Sequence, residues 1–140
     1  MTPPFSLAGL DHIVLRVSDL AVSDRFYRDT LGCTLERSLP EVGLYQYRAG
    51  DQLIDLVVVG SRLGGEAAVV PAGNMDHFCL IVDPFDEASL REHLTGAGLS
   101  PSSTGTRYGA SGYGPSLYIT DPDGHIVELK GPGGLPSPPD

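Results

Sequence analysis

The stretches "LDHIVLRV" (10–17) and "MDHFCLIV" (75–82) are one phrase written twice: apolar, Asp, His, then a nearly unbroken apolar run. An internal repeat constrains architecture before any single residue does, and this one extends outward. "SDLAVSDRFYRDTLG" (18–32) follows the first copy, with Val22, Phe26, Tyr27 and Leu31 near helical spacing, Ser18 or Asp19 as cap and Gly32 as stop. "DPFDEASLREHLTGAG" (83–98) follows the second, with Leu90, Leu94 and Ala97 as the stripe, Asp83 and Pro84 suited to the start, and Gly96 or Gly98 to the end. Three short strands are expected after each helix: about 33–39, 43–49 and 52–59, then about 99–104, 115–120 and 125–130. The turns "YRAGDQL" and "TDPDGH" sit before the last strand of each set. The spacing predicts an α+β chain of two tandem βαβββ modules, about 9–60 and 74–131, with a mobile Gly/Pro-rich tail over 132–140.

Composition narrows the classes. The 140 residues are 41% hydrophobic, enough for a core, and no apolar run approaches a membrane span. A formal net charge of −9 without a basic cluster disfavours nucleic acid. The start has neither basic region nor long apolar stretch, so no secretory signal is expected. Two cysteines, Cys33 and Cys79, make no disulfide framework, and a reduced, cytoplasmic setting is the default expectation.

Strand parity places the chemistry. In the last strands "QLIDL" (52–56) aligns with "HIVEL" (125–129), so Asp55 stands opposite Glu128 in the repeat as His12 stands opposite His77. Side chains alternate across a strand. Ile13, Leu15 and Val17 therefore oppose His12, Val14 and Arg16, while Val127 and Leu129 oppose Ile126, Glu128 and Lys130. The apolar set can pack on the helices, and the His or carboxylate falls on the other face all four times. Two imidazoles and two carboxylates suit Zn, Ni, Co, Fe or Mn rather than a thiolate metal site. Such an ion can polarise a carbonyl and stabilise an enediolate-type charge while a carboxylate at its edge shuttles a proton.

The doubled unit, the two "DH" strands and the ending "LYITDPDGHIVEL" (117–129) resemble the vicinal oxygen chelate superfamily, which includes glyoxalase I, methylmalonyl-CoA epimerase, extradiol dioxygenases, and fosfomycin- and bleomycin-resistance proteins. The resemblance spans about 9–131. It implies sheets curled around a metal cleft and ligands at His12, Asp55, His77 and Glu128, with Glu128 as shuttle base. It also implies a small substrate with adjacent oxygens and a homodimer. Arg16 stands where glyoxalase I holds a substrate carboxylate, four residues after the first ligand. The position four after the second ligand is Val59 rather than polar, and Asp55 is one methylene shorter than the usual Glu. Tyr118 stands where extradiol dioxygenases carry a tyrosine, but Ser111 replaces the histidine expected upstream. The reading is thus a glyoxalase-like lyase or isomerase. An Fe(II) dioxygenase-like enzyme is one alternative, and a metal-free small-molecule binding or resistance protein the other.

The loop "TGTRYGASGYGPS" (104–116) is read as a cover over ligand, with Arg107, Tyr113 and Tyr118 as substrate contacts. Blander assignments go to the remaining groups. Cys79 is expected as small buried packing, Lys130 as a solvated strand end, His93 and His125 as surface residues, and Asp121 and Asp123 as turn formers.

Overall fold

The computed structural model describes residue 4, residues 8–70 and residues 75–139. It divides into two compact units, Met1–Val69 and Val70–Asp140. The first unit runs β1 (His12–Val17), α1 (Leu20–Asp24), β2 (Thr34–Leu39), β3 (Leu44–Ala49) and β4 (Gln52–Val58). The second runs β5 (Phe78–Ile81), α2 (Glu87–Gly96), β6 (Gly105–Gly109), β7 (Gly112–Thr120) and β8 (Ile126–Lys130). Each forms a four-stranded mixed sheet, ordered β1-β4-β3-β2 and β5-β8-β7-β6. In both, the helical crossover makes the first strand parallel to the last, while the hairpins are antiparallel. The tandem βαβββ reading is therefore the observed fold.

Burial follows the parity argument. Leu15, Val17, Phe26, Tyr27, Tyr47, Ile54 and Leu56 form the core of the first unit, and Leu94, Leu117, Ile119, Val127 and Leu129 that of the second. Asp19 caps α1 by accepting from the Val22 N–H at 3.2 Å. The helix then widens into a π-helical stretch over Arg25–Thr30, with the Leu31 N–H reaching the Phe26 carbonyl at 3.0 Å. The wider turn lets adjacent Phe26 and Tyr27 both enter the core. Tyr47, also fully buried, donates its hydroxyl to Asp24 at 2.7 Å, and burial together with this carboxylate holds the phenol well above its ordinary pKa.

Three expectations are corrected. The second helix starts at Glu87, not at Asp83 or Pro84, because Asp86 is the cap: its carboxylate accepts from the Ser89 N–H at 3.0 Å. Residues 99–104 form no strand. Arg91 from α2 donates to the Ser102 carbonyl at 2.7 Å and to Thr104 Oγ1 at 2.9 Å. With its carbonyl taken, Ser102 offers its hydroxyl to the Tyr118 N–H at 2.9 Å and gives its own N–H to the Tyr118 carbonyl at 2.9 Å. The segment is thus tied to β7 at one residue instead of laddering along it. The supposed cover over 104–116 is the β6–β7 hairpin itself, with Gly109 paired to Gly112 across a two-residue turn and Gly112 at φ 102°. Beyond β8 the tail stays close: Gly133 N–H donates to Ser111 Oγ at 3.1 Å and Leu135 N–H to the Tyr113 carbonyl at 2.9 Å. Among the described residues no helix is long and apolar enough to cross a membrane.

The "TDPDGH" turn is built on Asp121, whose buried Oδ1 accepts from the N–H groups of Asp123 at 2.9 Å and His125 at 2.8 Å. Its Oδ2 holds His125 Nδ1 at 2.7 Å. His125 is therefore drawn against the turn rather than left on the surface, and the Asp121 bond raises its pKa above the ordinary histidine value. A raised histidine stabilises the fold fully below its unfolded pKa, and the contribution fades as pH rises through the folded value. Urea midpoints of the wild type should therefore fall between acidic and alkaline buffer by more than those of His125→Gln; equal falls would refute the pairing. Asp121→Ala, which strands two backbone donors, should cost about 1–3 kcal/mol.

Candidate functional site

Each unit places one histidine and one carboxylate in the same relation. In the first, Val14 of β1 pairs with Asp55 of β4, so His12 stands two residues ahead of the carboxylate's partner. In the second, Cys79 of β5 pairs with Glu128 of β8, and His77 stands two residues ahead again. The parallel register thus converts two sequence coincidences into one repeated geometry.

Each aspartate of the "DH" phrase contacts the histidine that follows it, a pairing the sequence reading passed over. His12 Nδ1 lies 2.6 Å from Asp11 Oδ2, and His77 Nδ1 lies 2.6 Å from Asp76 Oδ2. A carboxylate on Nδ1 fixes the ring and leaves Nε2 free for a ligand. The bond to Asp11 is the main reason that the His12 pKa is raised; burial opposes it and the charge of Asp55 adds to it. The signal was in the quoted phrase, where Asp precedes His both times.

The carboxylates differ. Asp55 is 4% exposed, with Oδ2 accepting from Gln46 Nε2 at 3.1 Å. Its Oδ1 is buried and, among the described residues, has no hydrogen-bond partner. An orphaned buried carboxylate oxygen is costly unless something positive meets it. Glu128 is 6% exposed, and its Oε1 lies 3.2 Å from His77 Nε2. Once Nδ1 turns the ring proton toward Asp76, Nε2 and Oε1 are both electron-pair donors, so a cation or a proton belongs between them. The His77–Glu128 pair is thus spaced to hold a cation, and the orphaned Asp55 oxygen is a place for positive charge in the other unit. Among the described residues no three His, Cys, Asp or Glu side chains come together as a metal-binding group; each unit supplies a pair.

Tyr118 pairs with Glu128 across β7 and β8, the place Gln46 holds beside Asp55 in the first unit. Its ring meets His77 edge-on at 5.4 Å between centroids, and the Arg107 guanidinium stacks on it at 4.7 Å. Burial and the charge of Glu128 raise the phenol's pKa, against the pull of Arg107. Arg107 also donates from one nitrogen to the Ser116 carbonyl at 2.8 Å and to Ser116 Oγ at 2.7 Å. A cleft of about 390 Å³ beside His77 is lined by Tyr118, Ser100, Ser102 and Thr120 among others. Tyr113 packs on Tyr108 at 5.0 Å within the hairpin. Arg16 donates through Nε to the Gly64 carbonyl at 2.7 Å and through a second nitrogen to that of Ala67, so it clasps the segment after β4. Ser111, where the dioxygenase pattern has histidine, sits in the hairpin turn and holds the tail.

Two assignments change. Cys79 is exposed, on β5 at the edge of its sheet. Lys130 is buried at 2% exposure instead of solvated, because its chain lies along the sheet beneath residues 131–132.

Comparison with known proteins agrees with the repeat. The profile of the family described as Glyoxalase/Bleomycin resistance protein/Dioxygenase superfamily matches residues 9–129. The chain is 33% identical over 125 residues to Glutathione transferase FosA of Serratia marcescens, covering 88% of this chain and 80% of that protein. Its fold is similar to the crystal structure of Virulence protein STM3117 from Salmonella typhimurium, with a TM-score of 0.74, 27% identity and coverage of 91% and 98% of the two chains. It is also similar to the crystal structure of lactoylglutathione lyase from Agrobacterium tumefaciens, with a TM-score of 0.64, 25% identity and coverage of 93% and 96%.

The charge layout around Glu128 can be read at Cys79. Partial desolvation of its sulfur first, and the Glu128 carboxylate second, push the thiol up to about 11. In a Cys33→Ser background, iodoacetamide should alkylate Cys79 slowly near neutral pH. Glu128→Gln should move the reactivity profile to lower pH. A profile unmoved by that substitution would show that the carboxylate is not the thiol's neighbour in solution.

Proposed function

The chain belongs to the Glyoxalase/Bleomycin resistance protein/Dioxygenase superfamily, and on that premise we propose that it is a divalent-metal enzyme of glyoxalase type. It would move a proton on a small substrate bearing adjacent oxygens. The observation that carries this reading is the duplicated His–carboxylate pair, each histidine backed by its own aspartate, with Glu128 against His77 and one Asp55 oxygen left without a partner among the described residues. His12, Asp55, His77 and Glu128 would hold the ion, the two pairs coming from one chain or from two copies in a homodimer. The ion would supply charge at a substrate oxygen and so weaken the neighbouring C–H bond.

The protein's residues do the rest. Glu128, buried and on the same face as His77, takes the proton at a carboxylate oxygen and returns it. Asp76 keeps the His77 ring oriented throughout. Ser100 and Thr120 offer hydroxyls to the substrate in the cleft, and Tyr118, with Arg107 stacked on its ring, walls its side. Arg16, clasped by backbone carbonyls, would meet a substrate anion only with a remaining nitrogen. A second reading, an Fe(II) dioxygenase-like enzyme, draws on Tyr118, whose ring touches His77 and whose strand partner is Glu128.

Metal content after stripping and single-ion reconstitution tests both readings. About one equivalent per chain is expected, lost in His77→Ala and weakened about 10- to 100-fold in Asp76→Asn, which removes only the ring's carboxylate. With the loaded protein in D2O, aldehyde–thiol adducts and epimerisable thioesters should exchange their α-hydrogen, and Glu128→Gln should stop the exchange. Oxygen uptake with catechols would instead select the dioxygenase reading. Unchanged metal uptake by His77→Ala would end both.

A further inference from the structure

We propose that Gln46 is a positioning residue for Asp55, its amide holding one carboxylate oxygen so that the other, Oδ1, is offered alone to a cation. The proposal rests on the reading of His12, Asp55, His77 and Glu128 as cation ligands, and adds how one of them is presented. Gln46 on β3 pairs with Asp55 on β4 across an antiparallel rung, so the two side chains leave the same face of the sheet. A carboxylate only accepts when ionised, so the amide turns its nitrogen toward it. Gln46 Nε2 donates to Asp55 Oδ2 at 3.1 Å, while the buried Oδ1 has no partner among the described residues.

Two arginines share this face by strand parity, and both are engaged elsewhere. Arg48, two residues from Gln46 along β3, gives one guanidinium nitrogen to both Glu36 oxygens, at 2.7 and 2.8 Å. Arg16, two residues beyond the Val14 that pairs with Asp55, donates to the Gly64 and Ala67 carbonyls. Val14 itself brings only methyl groups. Asp55, at 4% exposure, is therefore left with a neutral donor and, among the described residues, no ion pair. The single bond also divides the two oxygens. Turning about Cβ–Cγ would exchange them, and an amide anchored on the neighbouring inner strand opposes that turn. A cation then meets Oδ1, and chelation by both oxygens would first have to break the Gln46 bond.

The competing role is structural, with Gln46 merely satisfying a buried acceptor. Both roles predict a lower melting temperature for Gln46→Leu, which orphans Oδ2 as well. They part over the cation, so the probe is Zn²⁺ alone, added to chelator-stripped protein. The chain has two glutamines, Gln46 and the exposed Gln52. Side-chain ¹⁵N labelling of glutamine therefore gives two amide signals, and Gln52→Glu leaves that of Gln46. In the stripped protein one Gln46 amide proton should lie downfield and exchange slowly with water, and it should stay so once zinc is bound. By calorimetry Gln46→Leu should bind zinc about 10- to 100-fold more weakly. Should that variant not fold, the amide signal of the otherwise intact protein decides. A fast-exchanging amide in the stripped protein, loss of its protection on zinc binding, or equal zinc affinity in Gln46→Leu would each overturn the proposal. A wild type that takes up no divalent ion ends the metal reading and this proposal with it; equal affinity in wild type and Gln46→Leu ends this proposal alone.

Discussion

The parallel pairing of the first strand of each module with its last is the constraint from which the site follows. It exists because a helix intervenes between them, which reverses the chain once more than a hairpin does. Its register sets Val14 against Asp55 and Cys79 against Glu128. Each histidine, two residues earlier, then shares a sheet face with a carboxylate. A slip of one residue would turn the carboxylates into the apolar layer against Leu15, Val17, Val127 and Leu129. The core and the site therefore hold each other in register: the apolar face cannot be buried without presenting the polar one.

This is why the fold was legible in sequence and much of the local detail was not. Period-two alternation and the repeated phrase depend on burial, which covers whole strands, so β1, β3, β4 and β8 fall where the pattern puts them. Residues 99–104 depend on individual hydrogen bonds. Pro101 and Ser102 read as strand, but the Arg91 guanidinium captures the Ser102 carbonyl, and no periodicity encodes that competition. The glycines of 104–116 read as a loop because glycine usually signals a turn. Here Gly109 and Gly114 leave space on a sheet face for one long side chain. Lys130 was misread for the same reason: a lysine at a strand end is ordinarily solvated, and only the glycines opposite it show otherwise. The repeat and strand parity put His12, Asp55, His77 and Glu128 in matching places, whereas Asp11 and Asp76 lay outside the strand pattern that parity can address.

The two modules have also diverged in what surrounds the shared pair. Beside Asp55 stands the amide of Gln46, which donates and fixes one carboxylate oxygen. Beside Glu128 stands Tyr118, with an aromatic face for His77 on one side and Arg107 on the other. An amide bond locks its carboxylate in place, which suits a ligand. Glu128 instead has a phenol hydroxyl and an imidazole nitrogen for neighbours, groups that can exchange a proton with it, which suits a base.

One rung further along, the exchange is explicit. Arg16 pairs with Val57 in the first module, and Ile81 pairs with Lys130 in the second. Each rung holds one cation and one aliphatic residue, but on opposite strands. The first module's cation is on the edge strand, where a guanidinium can reach the following segment and spend two donors on its carbonyls. The second module's cation is on an inner strand, flanked by β5 and β7, where a shorter ammonium finds a single distant carbonyl. Moving a charge from edge to interior raises its desolvation cost without adding a partner. A fold that keeps such a charge, and keeps Gly109 and Gly114 bare beneath it, forgoes stability at one point on the face that carries Glu128. The asymmetry between the halves is thus one of surroundings: in the first module an amide holds the carboxylate and the cation is spent on backbone carbonyls, and in the second the carboxylate stands beside an aromatic ring and a buried cation.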